Sequence, residues 1–222
     1  MSAIDSLDKL ILYIGPMFSG KTTENRKELS RFKSLNLNVL FIGHGSDDRT
    51  TGTFSTHSCI MQGDAGFDEI KAKDLLMGDN PLITCEGDWN KFKKYEAIGI
   101  DEAQFFNYDL IPFVTYLVET LEKFVVVSGL DGSNERNPIG HILSLIPIAD
   151  KVVKLRAFCA SCIRTNPKRL TAAPFTYRKA SLGHGTIIGG ADIYTPVCRR
   201  CWIDLTRKDE EKELDEIDKT TE

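Results

Sequence analysis

The chain of 222 residues lacks any long hydrophobic run, and its longest apolar stretches, such as Phe124–Val127, have only the length of a strand. A membrane-spanning helix needs about 20 consecutive apolar residues, so we expect no membrane span. The N-terminus, MSAIDSLDKL, carries two aspartates in place of the cationic, apolar pattern of a secretory signal. The sequence also has no internal repeat and no Pro- or Gly-rich linker. These absences argue against a bilayer or secreted protein and favour a cytoplasmic one.

The chain also lacks a strong charge of one sign. Lys and Arg number 28 against 32 Asp and Glu, for a net charge of −4, which argues against a general polyanion binder. This average conceals three segments of different charge. Residues 1–155 contain 16 basic and 22 acidic side chains, residues 156–203 contain 8 basic and 1 acidic, and residues 204–222 contain 4 basic and 9 acidic. We therefore predict an α/β domain over 1–155, a basic lobe over 156–203, and an acidic, disordered tail over 204–222.

Cysteines are too few for a disulfide-built scaffold, since there are six, and four of them form two Cys-x-x-Cys pairs. Cys159, Cys162, Cys198 and Cys201 offer four thiolates, the set that suits a tetrahedral Zn²⁺. A redox dithiol is the alternative. Four protein ligands leave no open position, so this zinc is expected to stabilise the fold and to perform no chemistry. It would hold both ends of segment 163–197, which we expect to act as a lid or binding loop.

Short apolar runs alternate with helical patterns in residues 1–155. Between the fourth and fifth runs, apolar residues recur from Leu110 to Leu121 with the spacing of an amphipathic helix. This alternation predicts an α/β fold, with a mostly parallel sheet flanked by helices. The runs that predict buried strands are Leu10–Ile14, Val39–Ile42, Pro81–Cys85, Ala97–Ile100, Phe124–Val127 and Lys151–Leu155.

The strongest chemical motif follows the first of these strands. Residues 15–22, GPMFSGKT, match the phosphate-loop pattern G-x-x-x-x-G-K-T, and a helical pattern follows them. Glycines allow backbone N–H groups to surround phosphates, and the helix N-terminus adds partial positive charge. Lys21 suits the β- and γ-phosphates, and the Thr22 hydroxyl suits Mg²⁺. The sequence therefore predicts a P-loop NTPase-type site for ATP and magnesium, formed by Gly15, Pro16, Ser19, Gly20, Lys21, Thr22 and Thr23.

Two adjacent acids end the fourth predicted strand. Asp101 suits magnesium, because strand ends near a phosphate loop place a carboxylate beside the metal. Glu102 points to a different side and suits a base, acting on a hydroxyl in a kinase or on water in an ATPase. Capping the next helix is the alternative for one of the two. Arg49 or Arg136 would neutralise charge on a transferring phosphoryl group, although a surface ion pair explains either arginine equally well.

The order and spacing of eight motifs resemble the zinc-containing (type II) thymidine kinase family over about Leu10 to Trp202. The resemblance implies ATP-dependent phosphorylation of the 5′-hydroxyl of deoxythymidine, and of deoxyuridine, for nucleotide salvage. It also implies a homotetramer and feedback by thymidine triphosphate. The motifs are GPMFSGKTT (15–23), DDR (47–49), STH (55–57), DEAQFF (101–106), GLDG (129–132), VVKLRAFCASC (152–162), FTYRK (175–179) and IGGADIYTPVCRRC (188–201).

The same resemblance assigns roles to single residues. Glu102 corresponds to the general base, and Lys21 and Arg49 correspond to residues that act on the phosphates. In this family a lasso between the cysteine pairs closes over the base and reads it through backbone groups around Ile187. The residues that correspond to the nucleoside and 5′-hydroxyl site are Met17, Asp47, Phe105, Leu130, Thr176, Ile187 and Tyr194.

Two alternatives stay open beside a thymidine kinase. Asn134 and Ile139 stand where the family usually has aromatic residues, so the same chemistry with a relaxed nucleoside preference is one of them. The basic lobe with Tyr177 and Trp202 suits a nucleic-acid-binding NTPase or an inert paralogue with a regulatory role. Because the phosphate motifs and the acidic pair are complete, the sequence favours small-molecule substrates over nucleic acid.

Overall fold

The computed structural model describes residues 8–45, 66–79, 81–178 and 193–220. Contacts within the chain divide it into two units. The first contains the described residues of Met1–Gly15, Gly20–Asp131 and Pro138–Leu155, and the second contains those of Pro16–Ser19, Gly132–Asn137 and Arg156–Glu222. No helix in these described ranges is both long and apolar enough to cross a membrane.

A six-stranded sheet with the order β3-β2-β4-β5-β1-β6 forms the centre of the first unit. All neighbouring strands run parallel, which confirms the predicted α/β fold. Every residue of β1, β2, β4 and β5 is buried, and strands covered on both faces are continuously apolar for that reason. The strands are β1 (Leu10–Ile14), β2 (Val39–His44), β3 (Asp68–Ala72), β4 (Ala97–Ile100), β5 (Phe124–Gly129) and β6 (Lys151–Lys154).

Two separate hydrophobic clusters cover the two faces of this sheet. Leu10, Leu12 and Ile14 of β1 belong to one cluster, and Ile11 and Tyr13 belong to the other, because alternate side chains of a strand point to opposite faces. Helix α1 (Lys21–Lys33) contributes to the second cluster and helix α2 (Leu110–Thr115) to the first. The expected flanking helices are therefore present on both faces.

The helix predicted from Leu110 is confirmed, with one difference in its second half. After α2 the chain continues as a π-helical turn over Tyr116–Thr120, and the Leu121 N–H donates to the Tyr116 carbonyl, five residues back. Leu117 stays fully buried across this change, so the apolar face still packs on the sheet. Short 3₁₀ helices occupy Glu86–Phe92, Ala103–Phe105 and Ile142–Ile148.

The strand predicted at Pro81–Cys85 was wrong. Pro81 makes only an isolated bridge to Asp74, and the Asp88 carboxylate accepts the N–H groups of Thr84 and Cys85 at 2.7 and 3.2 Å. These bonds turn the chain into the 3₁₀ helix that follows. The sheet position is taken instead by β3, DEIKA, an edge strand with mostly exposed side chains and therefore without an apolar run.

The second unit combines short strands and one short helix with the long helix α4. Two antiparallel pairs, β7 with β8 and β9 with β10, accompany helices α3 and α4. Its fully buried apolar core has six members, three of which are cysteines, so it is much smaller than the cores of the sheet. The elements are β7 (Ala157–Phe158), α3 (Ala160–Thr165), β8 (Ala172–Ala173), β9 (Phe175–Arg178), β10 (Tyr194–Val197) and α4 (Arg199–Thr220).

Helix α4 differs from the disordered tail expected after residue 203. It runs unbroken from Arg199 to Thr220. Trp202 and Leu205 pack against the cysteine-rich core, and the Asp209 carboxylate accepts a hydrogen bond from the Tyr177 hydroxyl. A helix is costly to nucleate and easy to extend, so these anchored first turns allow the charged sequence beyond them to continue as helix.

Candidate functional site

The phosphate loop joins β1 to α1 with the backbone conformation that its glycines permit. Gly15 and Gly20 have φ values of 148° and 85°, in the region that favours glycine. A Cβ added at Gly20 would meet no atom within 4 Å, so the conformation, and not lack of space, requires glycine there. No described side chain caps the N-terminus of α1, and a helix terminus of this kind binds anions.

The start of α1 meets the end of β4. Lys21, the first residue of α1, is 9% exposed, and the next side chain, Thr22, hydrogen-bonds the carboxyl of Asp101. Asp101 directly follows β4, and its own N–H extends the sheet by donating to the Ile42 carbonyl at 2.8 Å. The hydroxyl and carboxylate that the sequence assigns to magnesium therefore lie together. Both are oxygen donors, the ligand type that magnesium prefers, so this pair of residues fits the ion.

The surroundings of Asp101 perturb its acidity. Burial, and next the charge of Glu102, raise the pKa of Asp101 to about 6. Hydrogen bonds from Ser128 and Thr22 oppose this shift, and the Ser128 Oγ donates to Asp101 Oδ1 at 2.5 Å. A cation beside this carboxyl would favour its charged form in the same way.

Glu102 is held in an unusual backbone conformation and by one well-defined hydrogen bond. Its φ and ψ are 52° and 38°, the left-handed region that glutamate rarely adopts. The Gln104 amide donates to Glu102 Oε2 at 2.6 Å, and the Leu130 N–H fixes that amide by donating to its oxygen at 2.8 Å. Strained backbone of this kind is enriched at functional sites. The buried Gln104 amide, held by Leu130, fixes the direction of the candidate base.

The candidate nucleoside residues are found in both units. In the first, Phe105 ends a 3₁₀ helix with its ring centroid 5.5 Å from that of His44, and Leu130 follows β5 half-buried. In the second, the Met17 N–H donates to Thr176 Oγ1 at 3.0 Å, which brings two of the predicted residues together. The remaining one in the described structure, Tyr194, is buried in β10. Asp47, Arg49 and Ile187 lie outside the described residues.

The four paired cysteines converge in the second unit. Their sulfur atoms all lie within 4.8 Å of one another. Cys162 Sγ is 3.9 Å from Cys198 Sγ and 3.7 Å from Cys201 Sγ. A tetrahedral zinc with Zn–S bonds of about 2.3 Å needs sulfur–sulfur separations of about 3.8 Å. The cluster therefore fits zinc in both ligand type and spacing.

The acidity of these thiols also favours a cation. A hydrogen bond from Thr171 lowers the pKa of Cys162 to about 7, whereas burial raises the pKa of Cys201. Hydrogen bonds among the cysteines add to both shifts, and repulsion from the Cys159 thiolate also opposes the charged form of Cys201. A divalent metal removes that repulsion and binds the thiolate form, so the cluster suits a metal better than free thiols.

The basic lobe uses its aromatic residues for its own packing. The Arg136 guanidinium lies 3.6 Å from the ring centroid of Trp202, and the indole N–H donates to the Asn134 carbonyl at 3.0 Å. Tyr177 donates to Asp209. Arg136, a candidate for contact with a phosphoryl group, therefore covers an aromatic ring. Trp202 and Tyr177, which suggested nucleic-acid binding, both have hydrogen-bond partners within the second unit.

Four polar residues near the acidic pair were not identified from the sequence. Each carried a weak signal: Gln104 lies two residues after the candidate base, and Ser128 and His44 are polar residues at the ends of apolar strands. Asn25 lies one helical turn after Thr22 of the phosphate motif. All four are buried, and burial is what distinguishes them from ordinary surface polar residues. They are Asn25, His44, Gln104 and Ser128.

Sequence comparison finds similarity to thymidine kinases from viruses and from Homo sapiens. The thymidine kinase family model matches residues 8–202. The thymidine kinase of Choristoneura fumiferana entomopoxvirus is 38% identical over 192 residues, which is 85% of this chain and 92% of that protein. The monkeypox virus thymidine kinase is 35% identical over 193 residues, covering 87% and 96%. The cytosolic thymidine kinase of Homo sapiens is 35% identical over 190 residues, covering 86% and 71%.

Proposed function

Because the chain belongs to the thymidine kinase family, we propose that it transfers the γ-phosphoryl group of ATP to the 5′-hydroxyl of thymidine, and of deoxyuridine. The observation that carries this proposal is the meeting of the phosphate loop with the acidic pair, where Thr22 touches Asp101 and Glu102 follows directly. The products would be ADP and the nucleoside monophosphate, in a reaction that serves nucleotide salvage.

The residues of this centre divide the chemistry between them. Lys21 would neutralise the β- and γ-phosphates, and Thr22 and Asp101 would hold magnesium, which supplies charge neutralisation of the phosphates when bound. Glu102 would accept the proton of the 5′-hydroxyl as its oxygen forms the bond to the γ-phosphorus. The bond from that phosphorus to the β–γ bridging oxygen breaks, and the electron pair leaves with ADP. Gln104 keeps the Glu102 carboxylate in one direction for this step.

Nucleoside binding is proposed from the residue correspondence. Met17, Phe105, Leu130, Thr176 and Tyr194 would line the nucleoside, and the hydrogen bond between Met17 and Thr176 supports their shared role. Asp47 and Arg49 would act near the 5′-hydroxyl, and backbone groups around Ile187 would read the base. Asn134 and Ile139 stand where the family usually has aromatic residues, and the contact of Asn134 with Trp202 is made by its backbone carbonyl. A relaxed nucleoside preference is therefore the second candidate function.

We propose a structural zinc at the four cysteines, with its contribution confined to folding. Four thiolate ligands leave no coordination position for substrate. A homotetramer, a cytoplasmic location and feedback by thymidine triphosphate are supported by the family resemblance. The name of the human relative includes a cytosolic location, in agreement with the second of these.

The test is turnover of ATP against a panel of nucleosides and single-stranded oligonucleotides, for the wild type and Glu102→Gln. We expect thymidine-dependent turnover, reduced about 10²- to 10⁴-fold by the substitution with little change in ATP affinity, because only proton acceptance is removed. Glu122→Gln is the matched control, since Glu122 is an exposed glutamate that also has a left-handed φ, of 56°. It should keep full activity.

Each other outcome of that panel has a distinct meaning. Equal rates on cytosine and purine nucleosides would favour relaxed preference over thymidine selectivity. Turnover that only oligonucleotides stimulate would contradict both kinase proposals. A Glu102→Gln enzyme with normal turnover would leave the kinase in place and remove Glu102 as its base.

A further inference from the structure

A buried chain of hydrogen bonds leads from the middle of α1 to the carboxyl of Asp101. Asn25 Nδ2 donates to Ser128 Oγ at 2.7 Å, and Ser128 Oγ donates to Asp101 Oδ1 at 2.5 Å. Asn25 and Ser128 have no exposed surface, and Asp101 is 7% exposed. Asn25 lies one helical turn after Thr22, so the same face of α1 reaches this carboxyl twice: directly through Thr22 and indirectly through Ser128.

The count of donors and acceptors explains why the asparagine matters. The Ser128 hydroxyl has one proton and two acceptors within reach, Asp101 Oδ1 at 2.5 Å and the Ile100 carbonyl at 3.4 Å. The Asn25 amide donates to that competing carbonyl at 3.1 Å as well as to Ser128 Oγ. It therefore competes with the serine hydroxyl for that carbonyl and favours donation of the serine proton to the much nearer carboxylate. A hydroxyl that accepts one hydrogen bond also donates a stronger one, because such chains polarise one another.

Stability alone does not account for this amide. The Val126 carbonyl also lies 3.2 Å from Asn25 Nδ2, so the two amide protons are shared among three acceptors. Asn25 Oδ1, by contrast, is buried with no hydrogen-bond partner in the described structure. An unpaired buried oxygen is destabilising, and two neighbouring positions, Leu29 on α1 and Val126 on β5, are apolar and fully buried. An apolar residue at position 25 together with an apolar residue at 128 would remove the unpaired atom.

We propose that Asn25 and Ser128 are positioning residues that fix the direction of the Asp101 carboxyl for magnesium-dependent nucleotide binding, with Asn25 acting through Ser128. The proposal rests on the proposed function, in which Asp101 and Thr22 hold the ion. Without the serine proton, the carboxyl keeps Thr22 as its side-chain donor and gains freedom to rotate. The affinity for the magnesium–nucleotide complex should fall, while the affinity for metal-free nucleotide should not.

A double-mutant cycle tests this dependence. The variants are Ser128→Ala, Asn25→Leu and the two combined, and the measurement is the dissociation constant of a non-hydrolysable fluorescent ATP analogue, with magnesium and in magnesium-free buffer. We expect each single variant to bind about tenfold more weakly with magnesium, the loss expected for one hydrogen bond to a charged group. In magnesium-free buffer the three variants should match the wild type. The combined variant should be no weaker than Ser128→Ala, because Asn25 acts only through the serine.

Two further variants separate positioning from a purely structural role. Ser128→Thr keeps the hydroxyl and should bind the magnesium complex as the wild type does. Ser30→Ala removes another α1 hydroxyl, which donates to the Arg26 carbonyl at 2.7 Å and has no contact with Asp101, and it should change nothing. The combined variant removes the unpaired Asn25 oxygen together with the serine, so it should stay folded, melt near the wild-type temperature and still show the magnesium defect. This keeps the test decisive even if Asn25→Leu alone does not fold.

The remaining outcomes each overturn something specific. Additive losses in the combined variant, or equal losses with and without magnesium, would overturn the relay while leaving the kinase proposal in place. If the nucleotide affinity of the wild type were the same with and without magnesium, the magnesium role of Asp101 would be overturned. The proposed action of Asn25 and Ser128 on Asp101 would then be overturned as well.

Discussion

The two units of this chain reach their folds by different physical means. The first buries two large apolar clusters on the faces of a parallel sheet, and its polar centre lies at the carboxyl ends of strands that would be stable without it. In its described part the second has six buried core residues, three of them cysteines of the candidate metal site, and two strand pairs of two and four residues. Hydrophobic burial therefore stabilises the first unit, whereas we expect the second to depend on the proposed zinc.

The largest expected difference between the units is their response to loss of the proposed zinc. Cys198→Ser, or removal of zinc by a chelator, should unfold the second unit and leave the sheet intact, because structural zinc contributes about 10–16 kcal/mol to small domains of this kind. Elemental analysis should find about one zinc per chain in the wild type. Cys85→Ser is the control, since Cys85 is exposed and outside the cluster.

The two tryptophans report on the two units separately, because Trp89 lies in the first and Trp202 in the second. Chelation should change the fluorescence of Trp202, and it should leave that of Trp89 unchanged when measured in a Trp202→Phe background. If chelation changed the fluorescence of Trp89 as well as that of Trp202, the first unit would also depend on the metal. That result would contradict the proposed difference between the two units.

A smaller effect should show that the first unit keeps its polar centre at a cost in stability. The pKa of Asp101 is about 6 in the folded chain against 3.8 for the ordinary group, so ionisation opposes folding. Below about pH 4 both states are protonated and Asp101→Asn should match the wild type. As the pH rises from about 4 to about 6 the wild type should lose stability, and at pH 8 the variant should be more stable by about 1–3 kcal/mol.

Urea unfolding without magnesium, followed through Trp89, measures this difference across pH. The same variant should lose magnesium-dependent nucleotide binding, so stability and function should change in opposite directions. A variant that is less stable than the wild type at pH 8 would show that the carboxylate supports the fold, contrary to this prediction.

The smallest effect concerns the attachment of α4. Tyr177→Phe removes the hydrogen bond to Asp209 from a half-buried pair, and it should destabilise the second unit by about 0.5–1.5 kcal/mol. Asp204→Asn is the matched change on the same helix, and it removes only an exposed ion pair with Arg200 at 3.8 Å. It should cost less than about 0.5 kcal/mol. Hydrogen exchange of the α4 amides measures the loss of stability in both variants. Equal losses in Tyr177→Phe and Asp204→Asn would argue against the tyrosine as an anchor of α4.

The sequence predicted the chemistry of this protein better than its packing. The phosphate loop, the acidic pair and the cysteine pairs are defined by residue types at short, fixed spacings, so they could be recognised before any fold was known. Strand β3 could not, because an edge strand is half exposed and carries no apolar run. Helix α4 could not either, since its stability depends on Trp202 and Leu205 packing against residues distant in sequence.

The sequence by itself determined the α/β alternation, the phosphate-binding motif, the acidic pair and the two cysteine pairs that could hold a metal. All of these are local patterns, whose periodicity or spacing carries the information. Only the tertiary structure decided which polar residues surround the acids, because Asn25, Gln104 and Ser128 are brought to Asp101 and Glu102 from separate elements. Burial gives those contacts their strength, and burial is a property of the folded chain and not of any short segment.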